Sequence, residues 1–415
     1  MATGFVIRAI EPAEFPAFVA IGVDAFHSAQ AVETYVEHER TTFEFDRSVA
    51  AFDGDRMVGS ACTFSFGLSV PGGSVAAGGI SMIAVHQRYR RRGLLTSMMG
   101  NLLADSVQRG EPAAALFAAE PEIYGRYGFG CASEDVRVTI PRSEGRIIPP
   151  PFPGQDDSVR LRDADPAASH DDLALVYEAL AAVRPGMTSR DKRWWQSRTA
   201  DPEWGRGGRG PLHCLVAEDD AGLCGYALYS VRAVAGDPGI PAAKLRVQEL
   251  VAVRPGAAAT LWSDLLATDL VDEVSAHSLP VDDPLLRLLS GQRRARPAIV
   301  DALWIRLIDL PTALSRRRYT REIDVVLEVT DAQLQANAGR WRLQADQAGQ
   351  ATCTRTDRTA DLLAPVQALG AAYLGGTSLG SLAAAGQVSE VRPGTVASLS
   401  AAMSWHLAPW CPMVF

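Results

Sequence analysis

The sequence predicts a mixed α/β protein, made of two related α/β units in tandem and a third, shorter region. Three observations support this prediction. The segments before residue 141 follow the order β-α-β-β-β-α and then another strand, a weaker copy of that order comes later, and a charged, proline-rich stretch at residues 141–158 separates the two. The length of 415 residues agrees with about three domains.

The first unit begins with strand-like FVIRAI and continues with a helical segment, EPAEFPAFVAIGVDAF. Two strands follow in RSVAAFDGDRMVGSACTFSFGLSV, joined by a turn at Asp53 and Gly54, and GGISMIAV is a further strand. Apolar residues then recur at helical spacing after Arg92, and AAALFAAE at residues 113–120 predicts another strand. The unit is therefore expected to span residues 1–145.

The second unit, expected at residues 158–302, repeats the pattern of the first in a diverged form. VRLRDADP resembles FVIRAIEP, HCLVAEDDAGLCGYALYSV resembles the first unit's hairpin, and LRVQELVAV resembles GISMIAV. Where the first unit has HQRYRRRGLL, the second has RPGAAATLW at residues 254–262. The second unit has therefore lost most of the arginines of the first.

The third region, expected at residues 303–415, combines strands and short helices. IDVVLEVTD predicts a strand, WRLQADQAGQATCTRT predicts a hairpin with its turn near Gly349, and DLLAPVQALGAAYLGG predicts a helix that ends at Gly375 and Gly376. Two further short helices are expected in LGSLAAAGQVSEV and TVASLSAAMSWHL.

Composition excludes several classes of function. The formal net charge of −8 argues against general affinity for nucleic acid or anionic membranes and favours cationic partners. No stretch approaches the roughly 20 apolar residues of a membrane span, and the start of the sequence lacks the features of a secretory signal. The six cysteines form no CxxC pair or metal-ligand cluster, so we expect buried thiols, no metal and a cytoplasmic protein.

The segment MIAVHQRYRRRGLLTSMM, at residues 82–99, crowds arginines and glycine between a predicted strand and a predicted helix. This arrangement aims backbone N–H groups and the positive end of a helix dipole at one point, which suits a diphosphate. Gly93 allows close approach of the backbone, and arginine side chains can bind phosphate oxygens. The alternative is a solvated, basic helix start. No GxxxxGK[ST] phosphate loop is present.

This segment resembles motif A of the GCN5-related N-acetyltransferases (GNAT), with Arg90-x-x-Gly93-x-Leu95 in place of Q/R-x-x-G-x-G/A. Several segments are similar to the Eis-like (enhanced intracellular survival) branch of that family. They are this leucine, IYGRYGFG at residues 123–130, LWIRLIDLPTAL at 303–314, YLGG, LAAAG and the terminal PWCPMVF. The resemblance implies tandem GNAT folds followed by a sterol-carrier-protein-like C-terminal domain. It also implies an acetyl-CoA-dependent N-acetyltransferase that acts on primary amines, such as aminoglycosides at several positions or lysine side chains, and a homohexamer.

The same resemblance implies the residues that bind acetyl-CoA. A splayed strand end would contact the pantetheine arm, the turn and helix start would carry the diphosphate, and the end of the following strand would lie against the coenzyme. The residues concerned are Ile83, Ala84, Val85, Arg91, Arg92, Gly93, Leu94, Leu95, Thr96, Ala119 and Glu120.

Two catalytic groups are expected for amine acetylation. Tyr124 matches the tyrosine that serves as the general acid in this family, because a phenol is protonated at neutral pH; Tyr127 is the runner-up, and a tyrosine that merely packs is the alternative. No histidine belongs to a recognisable dyad, and the resemblance implies that the terminal carboxylate, on Phe415, is the base. Burial of the apolar Met413–Phe415 end would raise its pKa, whereas a frayed tail is the alternative.

The resemblance implies an amine pocket lined by aromatic and acidic residues, with Phe26 and Trp195 as the aromatic candidates, although such residues more often lie in a core. Asp24 and Glu120 could attract a polyamine-like cation. A competing hypothesis for the whole chain is a non-catalytic lipid carrier or scaffolding protein with a vestigial GNAT fold. The intact RRRGL turn and Tyr124 argue against that hypothesis.

Overall fold

The computed structural model describes residues 4–28, 30–148, 158–234 and 242–415. The predicted separating segment, residues 141–158, therefore lies partly outside the described residues. Its described part contains one short 3-10 turn, Arg142–Glu144, and an isolated bridge between Ile147 and Leu289.

The described residues before position 118 contain a strand, two helices, three strands, a helix and a strand, which is the predicted order with one additional helix. The strands are β1 Val6–Arg8, β2 Ser48–Asp53, β3 Arg56–Val70, β4 Gly73–Val85, β5 Ala113–Phe117, β6 Gly130–Cys131, β7 Glu134–Pro141, β8 Arg160–Ala164, β9 His213–Asp219, β10 Gly222–Val234, β11 Ala242–Ala252, β12 Val271–Pro280, β13 Ala298–Asp301, β14 Leu303–Leu307, β15 Ile323–Thr330, β16 Gly339–Ala345, β17 Ala351–Arg355, β18 Leu362–Pro365 and β19 Ser389–Glu390. The helices are α1 Phe15–Ala25, α2 Val32–Glu39, α3 Leu94–Gln108, α4 Pro121–Tyr124, α5 His170–Ala181, α6 Lys192–Thr199, α7 Pro255–Ala267, α8 Leu285–Leu288, α9 Leu310–Arg316, α10 Val366–Ala372, α11 Leu379–Ala384 and α12 Thr395–Met403.

These elements form two compact units. The first comprises Met1–Ser133, Pro185–Ser189 and Ala302–Phe415, and the second comprises Glu134–Arg184 and Arg190–Asp301. The first unit contains a seven-stranded sheet, β1-β2-β3-β4-β5-β14-β6, and a five-stranded sheet, β17-β16-β15-β18-β19. The second contains a seven-stranded sheet, β13-β7-β12-β11-β10-β9-β8. The mixed α/β class is therefore confirmed.

The unit boundaries differ from those expected at residues 145 and 302. β7, placed by sequence at the end of the first unit, pairs with β12 and β13 in the second. Conversely β14, placed at the start of the third region, pairs antiparallel with β5 and β6 in the first sheet. Strand partners are chosen by non-local packing, which a linear pattern of apolar residues does not encode.

The third region does not have a core of its own. One continuous cluster of buried side chains includes Leu68 and Ala113 of the first sheet together with Leu327 and Leu369 of the third region. Helix α10 lies directly on the backbone of β6 and β14, because a Cβ at Gly130 or Gly370 would collide with backbone atoms. The predicted helix at residues 361–376 is also shorter than expected, since its first residues form β18.

None of the helices in the described ranges is long and apolar enough to cross a membrane. Five of the six cysteines are buried and Cys131 is half-buried.

Candidate active site

The first sheet opens a wedge where β4 and β5 separate. The two strands are parallel and pair only at Ala77–Ala113, Gly78–Ala114 and Gly79–Ala115, yet β4 continues to Val85. A bulge in the β3–β4 ladder, with Met82 at φ +51°, bends the end of β4. Beyond Gly79, the β5-facing backbone groups of β4 have no strand partner and are available to a ligand.

The start of α3 faces this wedge with unsatisfied donors. Gly93 is the N-cap residue, its φ is +82°, and no side chain caps the helix. In the part of the chain that the structure describes, the amides of Leu94, Leu95 and Thr96 donate no hydrogen bond, and the first helical bond runs from Ser97 to Gly93. Arg91 also has a positive φ, +63°, so alternate residues of the turn are left-handed. Left-handed residues and an uncapped helix end together give a concave backbone of the kind that suits an anion.

A cavity of about 480 Å³ lies between the end of β4, the start of α3 and the α4 segment. It brings together most of the residues that the sequence predicted, from four separate segments. Those on its wall are Phe26, Ile83, Ala84, Val85, Arg91, Gly93, Leu94, Leu95, Thr96, Ala119, Glu120, Tyr124 and Tyr127.

The structure distinguishes the two candidate tyrosines. The Tyr127 hydroxyl lies 3.0 Å from Thr96 Oγ1, so it is engaged in a hydrogen bond with α3. The Tyr124 hydroxyl has no hydrogen-bond partner in the described ranges, although the residue is only 7% exposed. Burial raises the pKa of Tyr124 above its usual 10.0, and Glu120 and then Tyr127 add to the increase. Tyr124 therefore presents a protonated, unengaged hydroxyl group.

The C-terminal residues lie at the base of the wedge. The ring of Phe415 is 5.0 Å from that of Phe66 on β3 and 5.4 Å from that of Phe117 on β5. Gly79, the last β4 residue paired with β5, provides the space, because a Cβ there would lie 2.9 Å from Phe415 Cε2. Met413 is buried as expected, but Val414 is 71% exposed, so the end is only partly buried.

An additional segment of the first unit holds this end in place. Residues 185–189 run along β3, with backbone hydrogen bonds from Ser69 to Met187 and from Ser189 to Gly67. The buried Trp410 donates its backbone amide to Pro185 at 2.9 Å. No pattern in the sequence predicted that residues 185–189, between α5 and α6, support the C-terminus.

Four predicted residues do not lie on the cavity wall. One is Phe415, whose ring instead packs against Phe66 and Phe117. Arg92 stacks on Tyr89, with its guanidinium carbon 5.1 Å from the ring centroid. Asp24 is exposed next to the wall residues Ala25 and Phe26. Trp195 belongs to the second unit, where it is 3% exposed.

The environment of Trp195 explains why the sequence misplaced it. Its ring packs edge-on to Tyr177 and Tyr226 and lies near the guanidinium of Arg190. Trp195 therefore forms part of an internal aromatic cluster, which is the usual location of a large aromatic side chain.

Other wall residues were not predicted, among them Tyr89, Ile123 and Arg126. Arg90 is also on the wall and could have been found, because it begins the Arg90-x-x-Gly93 pattern. Tyr89 donates a hydrogen bond to Asp53 at 2.9 Å, which ties the turn to the β2–β3 hairpin. No set of three or more His, Cys, Asp or Glu side chains within the described ranges is arranged to hold a metal ion.

Comparison with known proteins agrees with this geometry. Family models described as "Acetyltransferase (GNAT) domain" match residues 6–132 and 186–307, and one described as "Sterol carrier protein domain" matches residues 310–412. The chain is thus similar to two acetyltransferase domains followed by a sterol-carrier-type domain.

Relatives match over nearly the whole chain. An "Uncharacterized N-acetyltransferase" of Streptomyces avermitilis is 45% identical over 377 residues, 91% of each chain. The "N-acetyltransferase Eis" of Mycobacterium tuberculosis is 33% identical over 358 residues, 84% of each chain. The crystal structure of Eis1 from Mycobacterium abscessus superposes with a TM-score of 0.82 at 31% identity and covers 99% of this chain and 100% of its own. The chain therefore belongs to the Eis-like branch of the GCN5-related N-acetyltransferases and is an acetyltransferase enzyme.

Proposed function

We propose that the first unit transfers an acetyl group to primary amines of cationic acceptors, with aminoglycosides and lysine side chains as the leading candidates. The observation that carries this proposal is the cavity itself. Its wall combines an uncapped helix start, the separated end of β4 and the unengaged hydroxyl of Tyr124. The second hypothesis, a carrier without catalysis, is not retained, because the relatives over nearly the whole chain are N-acetyltransferases.

The fold implies acetyl-CoA as the cosubstrate, and the residues present fit it. The amides of Leu94, Leu95 and Thr96, with Arg91, would hold the diphosphate, and the backbone of Ile83 and Val85 would hold the pantetheine arm. The side chain of Arg92 stacks on Tyr89, so this residue would support the backbone of the turn and not bind the diphosphate directly. When bound, the cosubstrate supplies an acetyl group as a thioester.

Tyr124 is the proposed general acid. Its raised pKa keeps the proton on the hydroxyl throughout the neutral range, and no competing partner in the described residues holds that proton elsewhere. Tyr127 instead has a positioning role, because its hydrogen bond to Thr96 joins the α4 segment to the start of α3.

The carboxylate of Phe415 is the proposed base, which would accept a proton from the acceptor amine. The rings of Phe66 and Phe117 fix the Phe415 side chain at the wedge, and the buried Trp410 anchors the segment before it.

The preference for cationic acceptors is supported by charge. The chain carries a net charge of −8, and Glu120 and Asp24 are exposed at and beside the cavity wall. The exposed ring of Phe26 lies on the same wall and offers a face to a cation. The family resemblance further supports a homohexamer, which sedimentation equilibrium tests directly.

A thiol-release assay tests the proposed activity. Acetyl-CoA is mixed with the protein and with a panel that contains an aminoglycoside, a lysine-containing peptide, a linear polyamine and a neutral amine. We expect coenzyme A to be released with cationic primary amines and much more slowly with the neutral one. Absence of release with every amine in the panel would refute the proposal.

A tag experiment tests the role of Phe415 separately. A Gly-Ser extension after Phe415 moves the carboxylate away from the wedge, and we expect kcat to fall by about 100-fold or more while the KM for acetyl-CoA stays unchanged. The matched control carries the same extension at the N-terminus and should retain full activity. Full activity of the C-terminally extended protein would eliminate the terminal base without affecting the assignment of Tyr124.

A further inference from the structure

The second unit contains a cationic cavity of about 200 Å³ that acetyl transfer does not explain. Its wall includes Arg209, Arg232, Lys244, Arg246, Glu273 and His277, and we refer to these six residues as the cationic cavity. The hydroxyl-bearing residues Ser275 and Thr139 complete its polar wall. All of these residues belong to the second unit.

The register of the sheet places these side chains together. Arg232 on β10 pairs with Lys244 on β11, and Arg246, two residues further on the same face, pairs with Ser275 on β12. Ser275 in turn pairs with Thr139 on β7. A row of polar side chains therefore crosses four neighbouring strands, and directly paired residues lie only about 5 Å apart.

The charges in this row are poorly neutralised. Glu273 is the one carboxylate on the described wall, and Lys244 already occupies it at 3.1 Å. The side chains of Arg209, Arg232 and Arg246 form no ion pair and no hydrogen bond anywhere in the described ranges. The Nε atoms of Arg209 and Arg246 are moreover buried without a partner. Ser230, which pairs with Arg246 in the sheet, is 2% exposed, and its hydroxyl is also unpartnered.

Burial and the neighbouring positive charges act in the same direction on the pKa values in this cavity. Burial lowers the pKa of Arg246, and the charges of Arg209, Arg198 and Arg137 lower it further. Burial, then Arg246, Arg137 and Arg209, likewise lower the pKa of His277. Buried donors without acceptors cost free energy. The buried Nε atoms of Arg246, on β11, and Arg209, in the loop before β9, therefore favour an anion at this point.

We propose that the cationic cavity binds a phosphate-class oxyanion that carries two or more negative charges, either a free diphosphate or the phosphates of a nucleotide. Guanidinium groups are suited to this class because each offers paired N–H donors that match two oxygens of one phosphate. The hydroxyls of Thr139 and Ser275 on the wall are additional donors. The volume of about 200 Å³ accommodates a small polyanion but not a whole dinucleotide.

Isothermal titration calorimetry with inorganic diphosphate tests this proposal on the full chain, at fixed ionic strength. Saturating coenzyme A is included so that the turn before α3 contributes no signal. Arg246→Gln and Arg209→Gln each remove one donor group, and the matched control is Arg287→Gln, which removes one exposed charge from α8 of the same unit. Arg209 precedes β9 in a loop, so its substitution does not disturb a strand even if Arg246→Gln fails to fold.

We expect binding to the wild-type protein and the Arg287→Gln control with equal affinity, and binding at least about 10-fold weaker in the two cavity variants. Equal affinity in all four proteins would overturn the proposal, as would an absence of binding to the wild type. Parallel titrations with ADP and citrate identify the source and class. Tighter binding of ADP than of diphosphate indicates a nucleotide, the reverse indicates the free anion, and a preference for citrate over both would overturn the phosphate assignment.

Discussion

Each of the two compact units contains a strand–turn–helix motif, but the residues at the turn differ. In the first unit, β4 leads through the arginine-rich turn into α3 and then into the parallel strand β5. In the second, β11 leads through Arg254 into α7 and then into the parallel strand β12. Both helix starts have a dipole of the same sense, so we expect any difference in anion binding to come from the residues of the turn.

Backbone and charge differ at the two helix starts. Arg91 and Gly93 have positive φ, and Arg91 has no ion-pair partner in the described ranges. In the second unit Arg254 forms an ion pair with Asp219 at 2.8 Å, and Pro255 occupies the first helical position, where it has no N–H to donate. We therefore expect anion binding at the first helix start, whose amides are free, and not at the second.

The strands that lead into the two turns differ as well. When ELVAV of β11 is aligned with SMIAV of β4, Glu249 stands where the first unit has Ser81. Glu249 is buried and paired with Arg190 at 2.7 Å and Arg198 at 3.2 Å, and it accepts a hydrogen bond from Tyr226. The second unit has thus acquired an internal ion-pair network where the first has an open wedge.

Tyr124→Phe is expected to have the largest effect. Loss of the acidic hydroxyl should lower kcat by roughly 10²- to 10⁴-fold and leave the KM for acetyl-CoA nearly unchanged. The matched control is Tyr229→Phe on β10 of the second unit, which should retain wild-type kcat. A kcat within twofold of wild type for Tyr124→Phe would remove this residue from the mechanism.

The dependence of kcat on pH also tests Tyr124 as the general acid. Because the pKa of Tyr124 is raised above 10.0, the neutral phenol is the stable form in the folded protein, and its contribution is lost only as pH rises through the raised value. We therefore expect no decline of kcat from loss of this proton between pH 7 and pH 10. A decline in that range that disappears in Tyr124→Phe would contradict the assignment.

Glu249→Gln should cause the next largest effect, on stability. It leaves two arginines without their buried carboxylate, and we expect a loss of about 3 to 5 kcal/mol in unfolding free energy at pH 7. Burial raises the pKa of Glu249, but Arg190 and then Arg198 outweigh burial and lower it to about 2. The advantage of the wild type should therefore be complete above the ordinary pKa of 4.5 and shrink as pH falls towards 2.

Denaturant unfolding of the full chain at several pH values measures this loss in unfolding free energy. The control is Glu218→Gln, which removes a partly exposed ion pair with Arg162 and should cost no more than about 1 kcal/mol. Equal stability of Glu249→Gln and wild type would show that the network does not support the unit.

Arg91→Gln should affect cosubstrate binding by a smaller amount. Loss of one charge-assisted contact with a phosphate predicts an increase of about 10-fold in the KM for acetyl-CoA, with kcat little changed. Initial rates at varied acetyl-CoA measure it. An unchanged KM would place the diphosphate away from this turn.

Arg254→Gln in the second unit is the counterpart and should have the smallest effect. Its ion pair with Asp219 is half exposed on the arginine side, so we expect at most about 1 kcal/mol of stability to be lost and no change in the KM for acetyl-CoA. A KM shift comparable to that of Arg91→Gln would show that the two helix starts are not functionally different.

Much of the site was predictable because its signals are local. The strand end at residues 83–85, the turn and the start of α3 lie within the motif, and residues 119–120 follow the next predicted strand. Each lies on the cavity wall except for the Arg92 side chain. The structural difference between Tyr124 and Tyr127 depends on a contact between distant segments, because only the Tyr127 hydroxyl is hydrogen-bonded to Thr96.

By itself, the sequence determined the mixed α/β class and the tandem arrangement, and it predicted an anion-binding turn, because periodicity, glycine and charge act over a few residues. Only the tertiary structure decided that β7 and β14 pair outside their expected units, that Trp195 is buried in an aromatic cluster, and that Phe415 lies over Gly79. These outcomes depend on contacts between residues far apart in the chain, where the packing of the whole core selects among partners that are locally equivalent.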